Sequence, residues 1–220
     1  MLLGVGIVAV TAAVISIAVG EGGPGAPKNV GGVNDVQRIL GGIAQDGDRL
    51  GDDDAEITIS VFNDIQCADP CADFQTETVD RLVEEYARTG KAKLVFRHFS
   101  LAENDTTVAA IAAEAAGKQA HQWQYIDTFV RNHELARGQV SEDVLREVAE
   151  AVPNLEIGQW EEDYEDPDTI ELVRDDARLG AELKLTANPA VVVEGPGGQE
   201  ELMDTPTYEE IVAAIERVSG

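Results

Sequence analysis

The sequence predicts an α/β fold in which a strand–helix–strand head and a strand–strand–helix tail share one sheet, with a block of helices inserted between them. Three observations predict it. An alternating apolar run at Ile57, Ile59 and Val61 is followed by helical periodicity and then by a second β-rich run, Leu94 to Phe99. A long stretch of period-3.6 patterning comes next. A β-branched run, Ala190 to Val193, then precedes a Gly/Pro turn and a closing amphipathic pattern.

The elements follow in order. Residues 1–20 (MLLGVGIVAVTAAVISIAVG) carry no charged side chain and are long enough to span a hydrocarbon layer of ~30 Å as a helix. The segment reads as a retained single-pass anchor, with a cleaved signal peptide as the alternative: no basic n-region precedes it, yet Ala18 and Gly20 offer small residues for cleavage. Residues 21–35 form a Gly/Pro-rich linker, and the domain proper is 36–220. Val36 to Ile43 is a short helix or turn, and Gln45 to Asp54 a polar loop rich in Asp and Gly. The strand at Ile57 to Phe62 has two partly apolar faces, as Thr58, Ser60 and Phe62 alternate with the others, which places it inside a sheet. A helix follows from Cys71, with Val79, Leu82, Val83 and Tyr86 on one face and Gly90 ending it.

The helical insertion covers about 103–184. Val108, Ile111, Ala112 and Ala115 share a face; so do Ile126, Phe129 and Val130 beneath Trp123. Trp123 and Trp160 read as core. Ser141 is a good N-cap, Pro153 stops the helix that it starts, Glu161 to Asp168 reads as a solvated turn, and a further helix runs from Pro167 to Leu183. Gly195 to Gly198 makes a hairpin turn not of the tight two-residue type, Glu200 to Met203 pairs back, and Thr207 with Glu210 forms a capping box before Ile211, Val212 and Ile215.

Composition excludes some functions. Asp plus Glu total 42 against 16 Lys plus Arg, a net charge of −26, so phosphate backbones and anionic headgroups are repelled and nucleic acid is not a partner. No Walker loop, dinucleotide fingerprint or zinc-ligand cluster is present. The only two cysteines, Cys67 and Cys71, are too close in sequence to staple a fold and point to chemistry or metal binding. They sit where a strand gives way to a helix, and free N–H groups and the positive end of the helix dipole stabilise a thiolate there.

These residues resemble the DsbA-like thiol–disulfide oxidoreductases, which have a thioredoxin-like fold with a helical insertion. The resemblance is carried by Gly42 to Cys67 (GIAQDGDRLGDDDAEITISVFNDIQC), Phe99-Ser100-Leu101, Ala112 to Trp123 (AAEAAGKQAHQW) and Asn188-Pro189-Ala190, and it extends over nearly all of 42–220. It implies that Cys67 is the attacking cysteine and Cys71 the resolving one. It implies that Pro189 is a cis proline facing the disulfide, and that Asn188 offers backbone groups to a bound peptide. Protein thiols and disulfides would be the substrates. A membrane redox partner, such as a quinone-linked oxidase, would reset the pair, with no bound cofactor and no metal. Such a domain sits on the extracytoplasmic side, held by segment 1–20 or secreted if that segment is cleaved. The chain departs from the family in having three residues, Ala68, Asp69 and Pro70, between the cysteines where two are usual. Asp69 as N-cap with Pro70 at the first helical position would place Cys71 in the first turn and favour its thiolate, and the Asp69 carboxylate opposes ionisation of both sulfurs, so the nucleophile stays open. Asp64 is a candidate proton relay, or a hydrogen-bonded loop residue. The alternative functions are a copper-binding or metallochaperone-like module of the same fold, with His98, His121 or His133 as a third ligand, and a binding domain without redox turnover. His98 itself reads as structural, and His121 and His133 as lid or surface residues.

Overall fold

A computed structural model describes residues 30–67, 69–101, 107–136 and 140–220. The apolar segment 1–20 and all but the end of the linker lie outside the described residues. Among the described residues no helix is long and apolar enough to cross a membrane.

One mixed sheet of six strands has the order β1-β2-β4-β3-β5-β6. Its members are β1 (Gln45–Asp46), β2 (Arg49–Leu50), β3 (Thr58–Asn63), β4 (Lys93–His98), β5 (Ala190–Gly195) and β6 (Gly198–Leu202). β3 and β4 run parallel, with Ile59 beside Leu94 and Asn63 beside His98, whereas β5 is antiparallel to β3. The parallel pair requires a crossover, and α2, the helical run 69–87, supplies it. Ile59, Val61, Leu94, Phe96, Val191 and Val193 point into the larger core on one face. Phe62, Ala190 and Val192 form a smaller core with Phe99 and Leu185 on the other. The two apolar faces expected of β3 therefore follow from its central position.

Helix α1 (Val33–Leu40) starts before the expected position, inside the stretch assigned to the linker. Arg88 donates to the carbonyls of Arg38, Ile39 and Gly41 and so satisfies its C-terminal end. The segment read as a polar loop at 45–54 contains the β1–β2 hairpin, which adds an antiparallel edge to β4. Strands of two residues are too short to show an alternation. Gln45 accepts from the Trp123 backbone N–H, and the Asp48 carbonyl accepts from the Trp123 indole, so the edge is pinned by the insertion.

α2 is not a uniform α-helix. Wider π turns at Phe74–Val79 and Val83–Ala87 alternate with α turns at Asp69–Asp73 and Asp80–Leu82. The Thr76 hydroxyl donates to the Ala72 carbonyl, a group that a regular ladder would otherwise use.

Between β4 and β5 lie α3 (Val108–Gly117), α4 (Gln122–Arg131), a 3₁₀ turn (His133–Ala136), α5 (Glu142–Ala151), α6 (Ile157–Glu165) and α7 (Pro167–Glu182). Ser141 caps α5 as expected, its hydroxyl accepting from Val144 N–H. The acidic run 161–168 is not a turn: its first five residues complete α6. Asp166 then caps α7 by accepting from Asp168 N–H, with Pro167 at the first helical position. Within α6, Trp160 and Tyr164 stack on each other, and Trp160 stacks in turn on Tyr125. Both tryptophans are buried, as read from the sequence. The β5–β6 hairpin is the tight type after all. Gly195 pairs with Gly198, leaving only Pro196 and Gly197 in the loop, and Gly198 takes the φ of +131° that a side chain would resist. Thr207 and Glu210 form the expected capping box at α8 (Tyr208–Val218).

Candidate active site

The site is built on the ends of two adjacent parallel strands. After Asn63 the chain turns over Asp64 to Cys67: Cys67 N–H donates to the Asp64 carbonyl at 3.0 Å, and Gln66 N–H to the Asp64 carboxylate at 2.9 Å. A short side chain that accepts from the backbone two residues on stabilises such a turn. Helix α2 begins at Asp69, two residues before the Cys71 start read from the sequence, with Pro70 in the first turn where its missing N–H costs nothing.

Cys67 and Cys71 are joined in a disulfide, with Cα atoms 5.6 Å apart. Three intervening residues therefore do not prevent closure, because the fourth residue on returns to the same side of a helical turn. The two sulfur-bearing residues are unequal. Cys71 is 1% exposed, while Cys67, in the turn ahead of the helix, is half-buried. The amide of buried Asn63 donates to the Cys71 carbonyl at 3.3 Å and ties the helix start to the strand end.

The peptide bond Asn188–Pro189 is cis. The Asn188 side chain accepts from Asp64 N–H at 3.1 Å, which brings the proline loop against the turn that carries Cys67. Asn188 thus contributes its side chain to the site's architecture. The Pro189 carbonyl accepts from Thr205 N–H. Asp64 is buried, and its carboxylate is engaged by Gln66.

His98 ends β4 beside Asn63 and is buried. Its backbone N–H donates to Asp176 at 2.8 Å, and Nε2 lies 3.3 Å from the Thr107 hydroxyl. Burial pushes its pKa down to about 4, against the opposing pull of Asp64, so the ring is neutral at physiological pH. His133 reaches the segment between the cysteines, with Nε2 3.5 Å from Asp69 Oδ1. His121 packs elsewhere in the insertion; burial pushes its pKa down, and hydrogen bonds with Gln124 and Asn154 oppose this. Among the described residues no group of three or more His, Cys, Asp or Glu side chains is placed to hold a metal ion.

The sequence reading passed over Asn63 and Gln66. The latter accepts from Ala109 N–H at 2.9 Å and fastens the cysteine turn to the start of α3. Neither has a local signature, since both act on partners that only the folded chain brings near.

A family model described as thioredoxin matches residues 44–217. The chain belongs to the thioredoxin family. Among curated proteins it is similar to the probable disulfide bond formation protein D of Bacillus cereus, with 28% identity over 172 residues that make up 76% of each chain. The namesake from Bacillus anthracis is 27% identical over the same shares. Among solved structures it is similar to oxidised BdbD from Bacillus subtilis, with a TM-score of 0.63 and 20% identity, covering 81% of this chain and 98% of that one. It is also similar to alpha-DsbA1 from Wolbachia pipientis, with a TM-score of 0.64 and 19% identity, covering 81% and 92%. The fold is that of a thioredoxin-like domain with a DsbA-like helical insertion, as the sequence resemblance implied.

Proposed function

We propose that this thioredoxin-family chain is an extracytoplasmic thiol–disulfide oxidoreductase that acts on protein cysteines through Cys67 and Cys71. One observation carries the reading: a closed disulfide spans the start of a helix, with one sulfur-bearing residue reachable and the other buried. The relatives named for disulfide bond formation support the same chemistry.

A substrate thiolate attacks Sγ of Cys67, the accessible end. The Cys67–Cys71 bond breaks and Cys71 leaves as a thiolate, which the helix N-terminus stabilises. A second substrate thiolate then attacks the substrate sulfur of the mixed disulfide and expels the Cys67 thiolate. The substrate gains a disulfide, the enzyme gains two electrons, and a membrane oxidase takes them. The same steps in reverse reduce a substrate disulfide. Asn188 and Pro189, beside the Cys67 turn, line the approach of the substrate backbone, and Asp64 stands where a proton relay would. Segment 1–20 holds the domain to the membrane on the oxidising side, where such a pair is useful.

The test is a trap. With a peptide that carries a disulfide, Cys71→Ser accumulates a mixed disulfide at Cys67, releasing the peptide's other sulfur as a thiolate, and Cys67→Ser does not. Equal trapping by both variants, or by neither, refutes the assignment. A reduction potential near −120 mV marks an oxidant and one near −270 mV a reductant, by comparison with about those values for DsbA and thioredoxin. Labelling of reduced Cys67 in intact cells by an impermeant maleimide tests the placement outside the cytoplasm.

A further inference from the structure

Midway between the cysteines stands Asp69, its side chain 72% exposed, two residues from each sulfur-bearing position. A carboxylate there opposes a thiolate at Cys67 or Cys71. It does not stand alone. His133, in the 3₁₀ turn after α4, brings Nε2 within 3.5 Å of Asp69 Oδ1 and 3.4 Å of Glu134 Oε1. The other ring nitrogen, Nδ1, lies 3.0 Å from the Val130 carbonyl oxygen. A carbonyl oxygen only accepts, so Nδ1 carries a proton. Nε2 then faces the two carboxylate oxygens, and a ring N–H at that position would point at them. The ring is 29% exposed, with Nδ1 anchored to the helix end, so its direction is fixed.

The same stretch of the insertion holds α2 further along. Arg131, two residues before His133, donates to Asp80 at 2.5 Å and to Asp127 at 3.2 Å. The cysteine helix is thus met from the insertion by His133 at its first residue and by the Arg131 guanidinium in its middle.

We propose that His133 is a positioning residue for the cysteine pair: it draws the Asp69 carboxylate toward the insertion and away from the sulfurs, so that the thiolate of the reduced pair forms more readily. The inference deepens the oxidoreductase reading and rests on it for its purpose. The redox equilibrium of the pair can be measured whether or not the protein turns over a substrate.

The experiment equilibrates the full-length chain, in detergent, with defined mixtures of reduced and oxidised glutathione, and reads the fraction of Cys67–Cys71 disulfide. A carboxylate about 8 Å from a thiolate in a partly wet environment changes such an equilibrium about fivefold. His133→Gln favours the disulfide by about fivefold, which is a fall of about 20 mV for a two-electron couple. Asp69→Asn favours the dithiol by a similar factor. His133→Arg, which keeps an N–H donor against Asp69, stays within about twofold of the unmodified chain. In the Asp69→Asn background, His133→Gln changes the equilibrium by under about twofold, because its target is gone. Asp69 is exposed, so its variant folds and remains readable even if a His133 variant does not. The proposal is overturned if His133→Gln leaves the equilibrium unchanged, or shifts it by the same factor with and without Asp69. A chain that equilibrates with glutathione but whose Cys71→Ser variant forms no mixed disulfide with a peptide disulfide refutes the proposed function and leaves this comparison intact.

Discussion

Replacing Glu114 by Gln should stabilise the fold, and do so more as pH rises. Glu114 lies in α3 with 7% of its surface exposed and accepts from the Gln122 side chain at 2.5 Å. Burial, reinforced by the nearby charges of Asp176 and Asp48, pushes its pKa from an ordinary 4.5 up to about 8, against the weaker pull of Gln122 and Arg97. The unfolded chain releases this proton near pH 4.5, whereas the folded chain keeps it until about pH 8. Within that window the folded state binds the extra proton, so stability falls as pH rises. Each pH unit costs about 1.4 kcal/mol, or about 3 kcal/mol at pH 7, and the loss levels off above pH 8. Glutamine has nearly the same shape, keeps the acceptor for Gln122 and has no proton to release. Urea unfolding at half-unit steps from pH 5 to pH 9 measures the difference. The stability of Glu114→Gln relative to the parent should climb by about 1.4 kcal/mol per unit up to pH 8 and then stay constant. Two parallel curves would refute the reasoning, because they would mean that Glu114 ionises alike in both states.

Two further substitutions test the packing around the site. Arg131→Met leaves the buried carboxylates of Asp80 and Asp127 without their cation, which should cost about 3–5 kcal/mol in urea unfolding. The cost should be smaller at pH 5 than at pH 8, because both acids are already held above their ordinary values by burial and protonate more readily once the cation is gone. Gly180→Ala would set a methyl 2.5 Å from Cδ2 of Phe99 in the smaller core, an overpacking worth about 1–3 kcal/mol in thermal or urea unfolding. Adding Phe99→Leu should recover part of that loss, and a double variant no better than the sum of its parts would show that the clash is relieved elsewhere.

The central strands, the helix behind the cysteines and the capped helices were legible because each carries its signal locally. β3 alternates, α5 opens on Ser141, and α8 opens on Thr207 and Glu210. The parts that were not legible owe their form to distant partners. The β1–β2 edge exists because β4 offers it a ladder, and Trp123, some 75 residues on, donates its indole to Asp48. α6 hides in an acidic run in which Glu162 and Glu165 face water, Asp163 turns to Lys118, and Trp160 is the buried residue. In the site, the residues closest to the chemistry were plain from spacing, but the inequality of Cys67 and Cys71 was not. Cys71 lies in the helix start, which the Asn63 amide ties to the strand end, while Cys67 lies in the turn ahead of it. The link from Asp64 to Asn188 spans 124 positions in the chain, and no local pattern announces it.

The far margin of the sheet has a consequence of its own. β6 is a terminal strand whose outer backbone groups face away from β5, and it presents Gln199, Glu200 and Glu201 in sequence. Any second chain laid along it in ladder fashion, another copy above all, would set like carboxylates side by side. Glu200 is further committed to Arg217 of α8 by two hydrogen bonds. Acidic side chains on an open margin are a known guard against unwanted ribbon growth. Part of the sequence's negative surplus is thus set along the sheet margin, where it opposes ladder pairing with a second copy.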